Sequence, residues 1–267
     1  MHRRLWPTAV LSLVSLMAVG PFVVMLLVAL SPAGAPTLPL RLPTSLTLDN
    51  IIHVLSAESV LRWTMNTAVY SVVSVVVVLL SASMAAYVFA RKRFAGRDVL
   101  LWSLLSTMMV PFHAVLMPSL VVVSLLGWSD TYWGLIVPTL ANAQAVLLLR
   151  QFIRVLPDEV FDAARIDGAG DWRVYRSIVL PLCRPVLATL AVFVFLWHWN
   201  DFLWPLVVAR SDEMRTLTVG LSTVEEGNFA IGDLMSAATV CGLPCLLVFV
   251  VLQRQLTGTI GLTGWGR

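Results

Sequence analysis

Six apolar stretches, each about as long as a lipid bilayer is thick, constrain this chain more than any other feature. They lie near residues 8–30, 66–89, 99–126, 132–152, 186–208 and 234–253. About 20 consecutive apolar residues span a bilayer as a helix, and a lipid-exposed backbone has to satisfy its hydrogen bonds within its own segment. The sequence therefore predicts an all-α membrane protein with six transmembrane helices, in which residues 1–267 form a single transmembrane domain.

Charged residues are scarce and unevenly distributed. They make up 12% of the chain, against about a quarter of a soluble domain. Of the 18 Lys and Arg residues, only Arg41, Arg62, Arg210 and Arg215 fall on the outer side of a six-span topology. The positive-inside rule then places both termini and the 153–185 loop in the cytoplasm. The net charge of +3 is explained by these inner loops, so it predicts contact with membrane lipid and no nucleic-acid partner.

The N-terminal span has some features of a signal peptide. His2-Arg3-Arg4 precede it, and Ala33-Gly34-Ala35 resembles a cleavage site. The apolar stretch is longer than the usual core of a signal peptide. We therefore expect an uncleaved first span.

The sequence contains no motif for catalysis, nucleotide binding or a metal. Lys92 is the only lysine, and it does not follow the glycine-rich pattern of a phosphate-binding loop. Cys183, Cys241 and Cys245 do not have metal-ligand spacing, so we interpret them as small apolar packing residues. If transport consumes ATP, another polypeptide has to hydrolyse it.

The long cytoplasmic loop has the signals of a short helix over residues 157–168. Pro157 suits the first helical position, and Asp158 and Glu159 complement the positive end of the helix dipole. Gly168 suits a left-handed end. A second helix is expected over about 171–180.

One face of this helix is predicted to be small enough to admit a partner closely. That face comprises Val160, Ala163, Ala164 and Asp167, and Asp162 is three residues before Arg165, within pairing distance. On helical signals alone, a helix lying at the membrane interface is the alternative interpretation.

Polar residues inside the fifth predicted span form a second candidate site. Asp201 is the only carboxylate deep within a predicted span, where an ionised side chain normally faces protein or water. His198 precedes it by three residues, within pairing distance. A translocation path lined by His198, Asn200, Asp201 and Trp204 is one interpretation. A structural polar pair that holds helices together is the other.

Several motifs resemble one family of transporters. The cytoplasmic loop reads D-A-A-x-x-D-G-A from Asp162 and continues through L-P-x-x-x-P to Pro185. It resembles the EAA loop of ABC importer permeases, with Asp162 where that family usually has Glu. Three further motifs resemble the shorter six-span permease of maltose-type carbohydrate importers: LRWTMNT at 61–67, AAYVFAR at 85–91 and WNDFLWPL at 199–206. Gln253-Arg254 and Gly261 resemble the usual tail, and residues 264–267 depart from it.

This resemblance implies a type I ABC importer permease fold with a cytoplasmic coupling helix. It implies alternating access in a bacterial inner membrane, driven by two copies of a separate ATPase that binds ATP and Mg. A second homologous permease and an extracytoplasmic solute-binding protein would complete the assembly, and this chain itself would carry no cofactor. The residues implied to contact the ATPase are Asp162, Ala163, Ala164, Arg165, Asp167, Gly168 and Ala169.

Other functions remain open at this point. The solute is expected to be a sugar or oligosaccharide, with glycerol phosphate or a polyol as alternatives. A secondary transporter usually has repeated halves and several intramembrane charges, which this sequence lacks. A membrane enzyme using His198 and Asp201 as acid and base would need a nucleophile or metal set that the sequence does not contain.

Overall fold

The computed structural model of the chain describes residues 5–32, 45–224 and 231–264. Residues 2–4, 33–35, 41 and 265–267, on which some sequence predictions rest, lie outside these ranges. Within them the regular structure is helical, with no β-strand. The α-helices are α1 (Leu5–Ala29), α2 (Asp49–Ser56), α3 (Glu58–Arg91), α4 (Arg97–Thr107), α5 (Phe112–Leu125), α6 (Tyr132–Ile136), α7 (Ala143–Val155), α8 (Asp158–Ile166), α9 (Asp171–Val174), α10 (Leu180–Leu182), α11 (Arg184–Trp199), α12 (Leu203–Val208), α13 (Leu217–Val224) and α14 (Ile231–Gly264).

Three of the described helices are long and apolar enough to cross a membrane alone. These stretches are Val10–Ala29, Ser59–Arg91 and Ile231–Val251. Three further spans arise if each sharply bent helix pair counts as one, which gives up to six. The pairs are α4 with α5, α6 with α7, and the α9–α10 segment with α11, bent by 102°, 44° and 75° respectively.

The third predicted span, 99–126, is therefore not a straight helix. α4 ends at Thr107 and α5 begins at Phe112, with Pro111 between them in an extended conformation (φ −65°, ψ 136°). Proline has no N–H to donate and disfavours helical geometry in the residue before it. The sharp bend follows from this single residue.

The fifth predicted span, 186–208, is also interrupted. α11 ends at Trp199, and α12 begins only at Leu203. Pro205 falls in the first turn of α12, where its missing N–H would have had no helical partner. The mean hydropathy of this stretch predicts one continuous span, because hydropathy does not report backbone hydrogen bonding; the polar residues His198, Asn200 and Asp201 mark the place where the helix breaks.

The chain divides into two compact units, with boundaries inside α3, just before α13 and inside α14. Unit 1 comprises residues 1–65 and 216–244, and unit 2 comprises residues 66–215 and 245–267. In unit 1, the buried Asn50 donates Nδ2–H bonds to the carbonyls of Ala29 and Ser31 at 3.3 and 2.8 Å. These bonds satisfy backbone acceptors that the end of α1 leaves free.

Unit 2 contains two apolar clusters of buried residues. One joins α3 and α7 to the 153–185 loop and includes Val78, Ala86, Leu149, Phe161 and Tyr175. The other joins α3, α5, α6 and α12, and its members include Tyr70, Leu116, Leu135 and Trp204. The first cluster positions the candidate coupling helix, and the second positions the break in the fifth span.

Polar contacts fix the outer loop after α12 to the rest of unit 2. Asn66 donates two Nδ2–H bonds, each 2.8 Å long, to the carbonyls of Glu213 and Arg215. Its Oδ1 accepts a hydrogen bond from the Tyr132 hydroxyl at 2.6 Å. Asn66 belongs to the LRWTMNT motif, and this geometry gives that motif residue a structural role.

Asp130 braces the same outer loop from its other side. It adopts a left-handed conformation (φ 59°), and its Oδ1 accepts a hydrogen bond from the Ser211 N–H at 3.0 Å. Burial alone would raise the pKa of Asp130, but hydrogen bonds from Ser211 and Arg210 lower this pKa below its usual value. The carboxylate is therefore ionised at neutral pH and holds the loop as an acceptor.

We expect Asn66→Ala to destabilise the folded protein by about 1–3 kcal/mol, because a buried amide with three hydrogen bonds is lost. Thermal unfolding in detergent measures the change. Tyr132→Phe removes one of the three bonds and should destabilise it by about 0.5–1.5 kcal/mol. An equal effect of the two substitutions would contradict this assignment.

Candidate functional site

The 153–185 loop contains the predicted helix. α8 begins at Asp158, one residue later than expected, because Pro157 has an extended backbone (φ −57°, ψ 136°). Gly168 ends the turn with φ +71°, as predicted. A Cβ at Gly168 would meet no atom within 4 Å. Its requirement for glycine is thus conformational rather than steric.

The buried face of α8 differs from the predicted one. Phe161 and Ala164 are buried in the apolar core, whereas Val160 and Ala163 are exposed. The expectation that Val160, Ala163, Ala164 and Asp167 form one accessible face is therefore wrong for Ala164. The face of α8 that packs against the core is set by burial of Phe161, a residue that the sequence analysis did not select.

The other residues implied to contact the ATPase remain accessible. Ala169 is half-buried, and the exposed ones are Asp162, Ala163, Arg165, Asp167 and Gly168. The predicted pair is present, with Arg165 donating to Asp162 at 3.3 Å. Both side chains are largely exposed, so this pair contributes little to stability. Ile166, which sequence reasoning did not select, is 86% exposed and adds an apolar contact to this surface.

Arg91, at the end of α3, holds α8 in place. Its guanidinium donates to the carbonyls of Ile153 and Leu156, at 2.8 and 2.5 Å, and pairs with the Asp158 carboxylate. The same group lies 4.0 Å from the centroid of the Phe161 ring. The planar guanidinium of Arg91 thus caps the C-terminus of α7 and pairs with Asp158, the first residue of α8. It also stacks on the ring of Phe161, which is buried in the core.

Two further contacts join α3 to the segment after α8. Lys92 forms an ion pair with Asp171, the first residue of α9. Deeper in the core, the hydroxyls of Ser83 and Tyr175 lie 2.7 Å apart and are buried. α3 therefore contacts the 153–185 loop on both sides of Gly168.

Tyr175 begins a π-helical turn, Tyr175–Val179, in place of the regular second helix expected over 171–180. Pro181 follows and has no N–H to complete the α-helical ladder. A single π turn accommodates the interruption.

Sequence reasoning missed the roles of Arg91, Lys92 and Phe161. In the sequence, Arg91 is the last residue of the AAYVFAR motif. Arg91 and Lys92 there indicate only membrane topology. Two sequence signals were available for this contact. Arg91 directly follows a long apolar stretch, and Pro157-Asp158 mark the start of a helix later in the chain.

The break in the fifth span forms the second candidate site. Asp201 accepts a hydrogen bond from the Tyr70 hydroxyl at 2.8 Å and bonds from the backbone N–H groups of Phe202, Leu203 and Trp204. These N–H groups open α12 and have no partner within the helix. Asp201 therefore supplies the hydrogen bonds that an interrupted helix needs in an apolar environment.

His198 is held by partners other than its predicted one. Its Nδ1 donates to the Val194 carbonyl at 2.7 Å, and its Nε2 lies 3.2 Å from the Thr139 hydroxyl. Its ring meets that of Tyr70 edge-on at 4.9 Å. His198 and Asp201 are thus linked through Tyr70, in place of the expected helix-face pair.

The other two residues assigned to the path differ in accessibility. Trp204 is buried, and its indole N–H donates to the Leu135 carbonyl at 3.1 Å. Asn200 is exposed and donates to the Leu196 carbonyl at 2.8 Å. In this conformation Trp204 and His198 pack helices together, and Asn200 is the accessible member. The path assignment stays a prediction.

Among the described residues, no group of three or more His, Cys, Asp or Glu side chains is placed to hold a metal ion.

A protein-family model supplies the assignment that the geometry alone leaves open. Residues 78–260 match the family described as binding-protein-dependent transport system inner membrane component. This match covers most of the chain and both candidate sites. The chain belongs to this family. It is an inner-membrane permease of a binding-protein-dependent transporter.

Curated relatives are permeases named for oligosaccharides and for glycerol 3-phosphate. The chain is 38% identical over 227 residues to the arabinooligosaccharide transport permease AraQ of Halalkalibacterium halodurans, which covers 84% of this chain and 80% of AraQ. It is 32% identical to the diacetylchitobiose uptake permease NgcG of Streptomyces coelicolor, over 83% of this chain and 75% of NgcG. It is 37% identical to the sn-glycerol-3-phosphate permease UgpE of Pectobacterium atrosepticum, over 64% of this chain and 62% of UgpE.

A solved structure confirms the fold class. The permease resembles a chain of a bacterial ABC transporter involved in the import of the acidic polysaccharide alginate, with a TM-score of 0.84 over 94% of this chain and 95% of that one. At 24% identity, this likeness shows the type I permease fold alone.

We expect Arg91→Lys to loosen α8, because an ammonium cannot reproduce the planar fork on two carbonyls and the stacking on Phe161. Amide hydrogen exchange of the 158–166 segment should become at least about tenfold faster. This factor corresponds to a decrease of about 1.4 kcal/mol in the free energy of local opening. Arg176→Lys, an exposed substitution on the same side, is the matched control. Unchanged protection in Arg91→Lys would contradict the clamp.

We expect Asp201→Asn and Tyr70→Phe each to destabilise the permease by about 1–3 kcal/mol, since both weaken the hydrogen bonds at a buried helix break. Transport per folded molecule should be unchanged if the carboxylate only supports the helix break. Thermal unfolding and uptake, measured on the same preparations, separate the effects. Loss of uptake at unchanged stability would instead support the path assignment.

Proposed function

We propose that this permease is one of two transmembrane subunits of an ATP-driven importer of sugars or oligosaccharides, and that α8 is its coupling helix. Hydrolysis takes place in a separate ATPase, which binds ATP and Mg. A solute-binding protein delivers the cargo to the outer loops. Both termini and the 153–185 loop then lie in the cytoplasm. The observation that carries the proposal is α8 itself, exposed on one face and clamped on the other.

The exposed face suits docking to a partner protein. Asp162, Arg165 and Asp167 offer charges, and Ala163 and Ile166 offer small and apolar surface between them. Interfaces commonly combine an apolar centre with a polar rim. Anchoring by Phe161 keeps this face directed away from the core.

The clamp explains how movement of α8 would reach the membrane. Arg91 and Lys92 end the long helix α3, and they contact α8 and the start of α9 respectively. A rigid helix transmits displacement along its length, whereas loose loops absorb it. Closure of the ATPase would therefore pull α3 together with α8 and open the pathway by alternating access.

The sugar assignment rests on the arabinooligosaccharide and diacetylchitobiose relatives. The glycerol 3-phosphate relative supports a second class of cargo, polyol phosphates. Glycerol phosphate and a sugar share hydroxyl groups, and only the former carries a dianionic phosphate. Competition between the two solutes for uptake distinguishes them.

The test is to purify the tagged permease with its chromosomal neighbours and measure ATP-dependent uptake of labelled oligosaccharides in proteoliposomes. An ATPase and a second permease should co-purify, and uptake should require the binding protein. Uptake driven by an ion gradient without ATP would favour a secondary transporter.

Gly168→Val should reduce uptake at least about tenfold, because a β-branched residue is strained at φ +71°, by roughly 1–2 kcal/mol or more. Gly168→Asn should retain uptake, since Asn tolerates the left-handed region. Gly170→Val is the matched control, because Gly170 has an ordinary φ of −69° and equally open surroundings. Normal uptake in Gly168→Val would refute the coupling role of this turn.

A further inference from the structure

A basic cleft lies beside the coupling helix. It has a volume of about 700 Å³ and is lined by the end of α3, the start of α4, the end of α7 and α8. Seven cations line it, against three carboxylates. No step of the proposed coupling uses this excess of positive charge.

The three carboxylates are already paired. Asp158 pairs with Arg91, Asp171 with Lys92, and Asp162 with Arg165. The remaining cations of the cleft are Arg93, Arg97, Arg150 and Arg154.

These four arginines have little compensation. Arg97 pairs only with its neighbour Asp98, and in the described part of the chain no carboxylate lies within 4 Å of the other three. Arg154 and Arg97 act electrostatically on Arg150 as like charges, and Asp98 acts on it as one opposite charge. An uncompensated cluster of cations at one site favours binding of an anion.

The surroundings indicate which anion. Arg97 begins α4, and Leu100, three residues later on the same side of that helix, is 53% exposed. Trp102 is 70% exposed further along α4. A second recess of about 480 Å³ shares Arg93 and Arg97 with the cleft and extends to Phe94 and Val99. Cations at the end of a span and an exposed apolar surface beside them match a phospholipid, which has an anionic head and acyl chains.

We propose that this cleft binds the phosphate headgroup of an anionic phospholipid of the inner leaflet, with the acyl chains along α4. The lipid supplies the negative charge that Arg93, Arg150 and Arg154 lack. Since Arg91 and Lys92 line the same cleft, the bound headgroup also stabilises the clamp on α8. The inner-leaflet placement and this last consequence rest on the proposed function, which puts the 153–185 loop in the cytoplasm; the binding of an anionic headgroup in the cleft does not.

The experiment compares lipid retention by the purified transporter assembly using native mass spectrometry. The probes are dioleoyl-phosphatidylglycerol and dioleoyl-phosphatidylcholine, added to delipidated protein. Arg93→Gln/Arg154→Gln removes two exposed cations of the cleft, so folding should be unaffected. Arg173→Gln/Arg176→Gln removes two exposed arginines that do not line it and is the matched control.

We expect wild type to retain phosphatidylglycerol in preference to phosphatidylcholine. Affinity for phosphatidylglycerol should fall about thirtyfold in the cleft variant, because each cation strengthens attraction to anionic lipid roughly fivefold. Arg93→Lys/Arg154→Lys, which keeps the charge, and the control pair should retain most of the binding.

Three results would overturn the proposal. One is equal phosphatidylglycerol binding by the cleft variant and wild type. Another is displacement of the lipid by inorganic phosphate at equal concentration, which would make the site a free-anion site. The third is loss of the ATPase subunit from the cleft variant with lipid retention intact, which would assign the cleft to a protein interface. Lipid retention is measured without ATP or sugar, so failure here leaves the importer proposal standing, and failed uptake leaves this result standing.

Discussion

The packing of the 153–185 loop depends on the guanidinium of Arg91 more than on any other single group. It reaches the last carbonyls of α7, the first carboxylate of α8 and the ring of Phe161. Each partner belongs to a different part of the loop, and only a planar donor with several N–H groups can serve all of them. The burial of Phe161 and Ala164, and with it the exposed face of α8, follows from this arrangement.

At the break in the fifth span, too, a single side chain forms several hydrogen bonds. An interrupted helix in an apolar environment leaves N–H groups without partners, and each would be costly unpaired. Asp201 supplies acceptors for them and is itself held by Tyr70. The WNDFLWPL motif thus has a local physical reason, independent of any contact with solute: Asp201 caps the helix that Pro205 helps to start.

Several features were predictable because they are local. The helix of residues 158–166 has an acidic start and a glycine end, and the left-handed Gly168 follows from backbone sterics alone. The pairing of Asp162 with Arg165 needs only helical spacing. The hydrogen-bond partner of His198 and the buried face of α8 could not be predicted from local sequence. Both depend on residues more than 50 positions away, Thr139 and Arg91 respectively.

The sequence by itself determined the membrane class, the approximate spans, the family resemblance and the coupling loop, since hydropathy, charge bias and short motifs are properties of contiguous residues. Only the tertiary structure decided which charges are paired and which are not. Arg91 and Lys92 gain carboxylate partners, whereas Arg93, Arg150 and Arg154 converge on one cleft without them. Along the chain these arginines are equivalent topology signals. Packing separates them, because the distance between charges is set by the fold and not by their spacing in the sequence.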